Sequence, residues 1–222
     1  MNRLLTPNVD AVDHPDGHVL VVGDIAVMPS TGAAVIPAAA AQIALLLTSF
    51  DQHCSLIGFV GDDTTGAKLQ DQLRNAGVSL DVLPVTDWSS YIVGPAVDPE
   101  QPEQQRVLPF NGMSEYQAHL QNRVERALRN ARALVIVDQG FGSMGDPRAV
   151  VFAAQQMNVP SLALCAASQR QGYAKATRVI SVGPQIEAEL LRQQLDHLQS
   201  LLSHHILLLY QMIQKRNLIE YH

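Results

Sequence analysis

Two aspartates stand where a ligand could be met. Asp24 follows the apolar run from Val19 to Val22 and Gly23, and Asp138 follows the run from Ala133 to Val137. Continuous apolar runs of this length suit central parallel strands buried on both faces, and open α/β sheets bind their ligands at the carboxyl ends of such strands. Asp138 has a second reading, as the cap of a helix that starts near Pro147. The other reactive residue types are less well placed. Cys54 and Cys165 lie far apart in apolar surroundings, where thiols act as small hydrophobes, and no zinc or disulfide spacing can be built from them. His204 and His205 have no further ligand spaced to join them and read as a solvated or interface pair. The run Gly140-Phe141-Gly142-Ser143-Met144-Gly145 departs from the dinucleotide fingerprint in spacing and lacks its acidic partner, and no Walker-type loop occurs. No catalytic residue and no metal ligand set is assigned.

The elements that must position these aspartates alternate in type. Pro37 to Leu80 reads as one crossover unit: a helix over Ala38–Phe50, a strand over Ser55–Val60, a turn at Gly61-Asp62-Asp63-Thr64, a helix over Thr65–Asn75 and a strand beginning at Val78. Leu69 and Leu73 share a helix face, and Gly77 sits where a helix end wants left-handed dihedrals. Beyond it come short β-prone runs at Leu80–Val85 and Ser90–Val97, then a helix within Met113–Asn130 and strands at Ala133–Val137, Ser161–Cys165 and Arg178–Val182, with a helix over Pro147–Met157. Short connections between strand and helix imply parallel pairing with right-handed crossovers. Ile186, Leu190, Leu191, Leu195, Leu198 and Leu202 then form a helical stripe. Ile206 to Tyr210 fits either a strand or a continuation of that helix to about Arg216, and its composition favours helix.

Composition sets outer bounds. The 222 residues are 47% hydrophobic and 16% charged, as in a soluble globular protein with one sizeable core. Fifteen Lys and Arg against 21 Asp and Glu give a net charge of −6 with no basic cluster, which argues against a nucleic-acid partner. No apolar run approaches the roughly 18 to 20 residues that span a bilayer, and the first residues lack a signal-peptide pattern, so a cytoplasmic location is expected.

The ordered motifs Val22-Gly23-Asp24, Pro37 to Ala44, Gly58-Phe59-Val60-Gly61-Asp62-Asp63 and Asn75-Ala76-Gly77-Val78 resemble the PfkB or ribokinase family of sugar kinases, and most closely its heptose-phosphate kinase branch. The resemblance covers roughly residues 18 to 190. It implies an α/β fold: a ribokinase-like three-layer sandwich with a mostly parallel central sheet and a small β lid, its C-terminal part missing. It implies a leader over 1–17, a core over 18–79 and 111–190, a lid excursion over 80–110 and a leucine-rich helical tail over 191–222. It also implies ATP and magnesium as cofactors and a sugar phosphate as ligand, met by Asp24, Gln42 and Asp138. Several family positions are altered. Met28 stands where relatives carry a second aspartate that accepts from sugar hydroxyls; Ala38 and Ala39 stand where they carry two glycines; and Gln42 replaces an asparagine. Cys165-Ala166-Ala167 replaces Asp-Pro, and Glu187 keeps one member of a magnesium-organising pattern, with a helix N-terminal charge as its other reading.

In this family the base and the anion-holding helix terminus lie in one motif, Gly-Ala-Gly-Asp, which these 222 residues do not contain. The expectation is a carbohydrate-kinase-like protein without independent activity. The alternative is a non-catalytic interaction or regulatory protein that pairs through lid and tail. The lid has its own second reading as a surface β excursion with no ligand. A homodimer is expected because an early end to the sheet leaves apolar surface to cover.

Overall fold

The computed structural model describes residues 17–28, 35–49, 51–86, 114–140 and 142–182. The expected leader up to residue 16, most of the lid stretch (87–110), Glu187, the His204-His205 pair and the leucine-rich tail lie outside the described residues.

Strand β1 (His18–Gly23) begins the main sheet. Strands β2 (Ile25–Met28) and β3 (Ile36–Ala39) form a separate antiparallel ribbon, after which α1 (Ala40–Ser49) leads to β4 (Cys54–Gly61). Helix α2 (Thr64–Asn75) and β5 (Ser79–Val85) follow, then α3 (Ser114–Leu128), β6 (Ala131–Asp138), α4 (Pro147–Gln156), β7 (Ser161–Ala166), a 3-10 helix (Ala167–Tyr173) and β8 (Arg178–Val182). The main sheet has the order β5-β4-β1-β6-β7-β8, and every neighbouring pair in it is parallel. The three-layer α/β architecture implied by the sequence is therefore present, with a small antiparallel ribbon beside it.

Alternation along each strand divides the core in two. Val19, Val21, Leu56, Val135 and Val137 face α1, α2 and the ribbon. Leu20, Val22, Ile57, Leu134 and Ile136 face α3, α4 and the 3-10 helix. Helix α3 contributes Leu120, Val124 and Leu128, spaced four apart on one face. Helix α2 starts where the chain supplies a cap: the Asp63 carboxylate accepts from the Gly66 amide at 2.6 Å. It ends at Ala76 with Gly77 beyond, at φ +86.

Three sequence expectations are corrected. Leu80–Val85 does not open the lid excursion; it pairs with β4 as the edge strand of the main sheet, with Asp81, Pro84 and Ser79 turned outward as an edge allows. Ala38 and Ala39 are strand rather than helix, and Ala39 takes φ +51 before α1 begins. The helix at Pro147 is capped not by Asp138 but by Asp146, whose carboxylate accepts from the Arg148 amide at 3.0 Å. No helix among the described residues is long and apolar enough to cross a membrane.

Candidate functional site

In sequence order the six parallel strands run outward from β1 in one direction, through β4 to β5, and then in the other, through β6 and β7 to β8. The order reverses between β1 and β6. A crevice opens at the carboxyl ends of such a pair, because the connections leave on opposite faces, and it is the ordinary ligand position of open α/β sheets. Gly23 faces Val137 in the register, and the residues that follow them, Asp24 and Asp138, stand at neighbouring strand ends. Gly23 makes that approach possible. Its φ is +140, and a Cβ there would lie 1.9 Å from the Val137 carbonyl oxygen.

Both carboxylates are buried, Asp24 at 2% and Asp138 at 3% exposure. Asp24 accepts from the Gln139 amide at 2.7 Å and from the Ser143 hydroxyl. Asp138 accepts from the Gly140 amide at 2.9 Å and from the Tyr173 hydroxyl at 2.7 Å. The backbone of Asp24 is held as well, its amide donating to Val137 and its carbonyl accepting from the Ala40 amide at 2.9 Å, which ties the start of α1 to the site. A carboxylate removed from water needs such donors. Tyr173 is wholly buried; burial raises its pKa first, and the Asp138 charge and hydrogen bond raise it further, so the phenol stays a donor. Burial likewise raises the Cys165 thiol, with the Asp138 charge adding to it, and pushes Cys54 up to about 12. Neither thiol is a nucleophile at neutral pH.

The structure brings Asp24 and Asp138 to neighbouring strand ends, and Gln42 stands in the first turn of α1, two residues beyond the Ala40 amide that donates to the Asp24 carbonyl. Gln42 lies half-buried on α1, whose buried residues belong to the opposite core layer from Tyr173, and among the described residues its side chain makes no hydrogen bond. Ser143 and Tyr173 are the residues that sequence reasoning missed. No local signal could have found them, since their partners lie 119 and 35 residues away in the chain. A cleft of about 310 Å³ opens beside this loop between α3 and α4, lined by Gln117, Leu120, Gln121, Met144, Asp146 and Val150. Among the described residues no three His, Cys, Asp or Glu side chains converge as metal ligands.

A possible 1-phosphofructokinase of Thermotoga maritima superposes with a TM-score of 0.53 at 13% identity, over 72% of this chain and 57% of that one. Phosphofructokinase-2 of Escherichia coli, in a tetrameric inhibited form, gives 0.51 at 14% identity over 68% and 55%. Fructokinase of Xylella fastidiosa with bound ATP gives 0.50 at 15% over 73% and 60%. The fold is that of the PfkB/ribokinase carbohydrate kinases.

Among curated proteins, the bifunctional protein HldE of Pseudomonas fluorescens strain SBW25 is similar in sequence, 26% identical over 136 residues, 57% of this chain and 27% of that protein. No family model matches the chain. The chain spans about a quarter of the length of this curated relative and less than two thirds of the superposed kinases. Within the kinase fold the altered positions acquire a geometry. Ala39, standing where the resemblance places a glycine, keeps the left-handed backbone that glycine adopts freely, at φ +51.

Proposed function

We propose that this chain is a sugar-phosphate-kinase-like protein that binds a phosphosugar at the β1/β6 crevice and does not, by itself, transfer phosphate from ATP. The observation that carries the reading is the placement of Asp24 and Asp138 side by side at the point where the strand order reverses. Carboxylates there can accept from sugar hydroxyls, the contact on which polyol recognition depends. Turnover needs more: a base for the attacking hydroxyl and preorganised donors for the phosphates, each contributing about 10² to 10³-fold or more. The 222 residues hold no Gly-Ala-Gly-Asp motif to provide them. ATP is the bound nucleotide of the superposed Xylella fructokinase. For this chain, no described residue is assigned to ATP or to magnesium.

The test is calorimetric titration with a panel of hexose and heptose monophosphates, run beside a coupled assay for ADP release with magnesium and ATP. Saturable phosphosugar binding without ADP release is expected. Sustained, phosphosugar-dependent ADP release from the purified chain would refute the inactive reading, and absence of binding across the panel would refute the binding one. Light scattering on the same samples reads the expected homodimer, which a monomer would remove.

A further inference from the structure

We propose that Ser143 and Tyr173 are built-in stand-ins for a polyol: their hydroxyls occupy the two crevice carboxylates, and a sugar binds there by displacing them. The inference deepens the phosphosugar reading and rests on it. Each carboxylate accepts from a backbone amide and from a side-chain hydroxyl. For Asp24 these are Gln139 and Ser143; for Asp138 they are Gly140 and Tyr173. The amides belong to the turn directly after β6. The hydroxyls come from two separate segments that meet over the sheet edge, the loop ahead of α4 and the last residue of the 3-10 helix.

A hydroxyl donating to a carboxylate is the bond that a sugar offers, so exchanging one for the other conserves the number of hydrogen bonds. The selectivity follows from that balance. A ligand must bring two hydroxyls, one for each carboxylate, because a buried carboxylate left short of a donor is costly. A polyol meets this requirement and a singly hydroxylated phosphate ester does not. The stand-ins also hold the crevice shut, since both carboxylates are almost wholly buried while they are in place.

The full chain is compared with Ser143→Ala and Tyr173→Phe, made separately so that one unstable variant does not end the test. Amide hydrogen exchange over residues 139–143, without ligand, should be at least about tenfold faster in each variant. The best-binding phosphosugar of the panel should bind each variant about tenfold more tightly, the worth of one competing hydrogen bond, and its monodeoxy analogues should lose that gain at one carboxylate or the other. Unchanged exchange, or unchanged or weaker binding by variants of a wild-type chain that does bind, overturns the stand-in proposal and leaves the phosphosugar reading in place. Faster exchange with no phosphosugar bound by any of the three proteins overturns the phosphosugar reading and reduces the two hydroxyls to holding a loop.

Discussion

Strand β1 places a polar side chain at each end, and the two ends are treated differently. At the amino end His18 is half-buried, and among the described residues its Nε2 is buried without a hydrogen-bond partner. At the carboxyl end Asp24 is more deeply buried, with donors from loop and backbone. An imidazole can give up its charge when it is desolvated, and His18 does so: burial first, then the neighbouring Arg132 guanidinium, lowers its pKa. Asp24 is instead held among donors that serve a carboxylate. The contrast shows where the fold concentrates its polar contacts, which is the carboxyl edge of the main sheet.

The largest test of that contrast removes the better-bonded group. Asp24→Ala leaves the Ser143 hydroxyl and the Gln139 amide without their acceptor and should lower the unfolding free energy by about 3 kcal/mol in urea titrations. A loss below about 1 kcal/mol would show that the network contributes little. At the other end the sign reverses. His18→Leu removes a buried orphan nitrogen and should gain about 1 kcal/mol at neutral pH. It should also flatten the acid limb of stability. The folded His18 titrates below its ordinary value of 6.5, so the unfolded chain binds the proton first. Its stabilising share is whole above about pH 6.5 and is lost as pH falls through the lowered folded value. Thermal melts from pH 7 to 5 should therefore separate wild type from variant increasingly as acid is added. The smallest effect sharpens the picture of the carboxyl end, where Ala39 is held at φ +51 beside the α1 start. Ala39→Gly should stabilise by up to about 1 kcal/mol, read as a rise in melting temperature.

Much of this fold could be read from the chain because its signals are local. Val19 to Val22, Ser55 to Val60 and Arg178 to Val182 are strands within a residue or two of their expected bounds. Helix α2 is framed by Asp63 and Gly77, as turn chemistry predicts. Errors arose where local preference and tertiary demand conflict. Alanines 38 and 39 carry high helix propensity, yet pairing with Ile25 and Ala26 draws them into the ribbon. Leu80 to Val85 lacks the continuous apolar character of a central strand because it occupies the sheet edge, and so it resembled an excursion. Asp146-Pro147 was a legible cap signal that Asp138 overshadowed. Of the three candidate ligand residues, the two at strand ends could be placed by topology, whereas Gln42 rested on correspondence alone; it lies in the first turn of α1, near the Ala40 amide that donates to Asp24.

Where β1 hands over to the ribbon, a Cβ on Gly58 would lie 2.5 Å from the Gly23 carbonyl oxygen and 2.8 Å from the Ile25 side chain. The root of the antiparallel pair is thus socketed into a notch on the neighbouring strand. Any side chain at position 58 would have to push Ile25 and the Gly23 carbonyl aside, so the seat of the ribbon depends on that one missing methyl group.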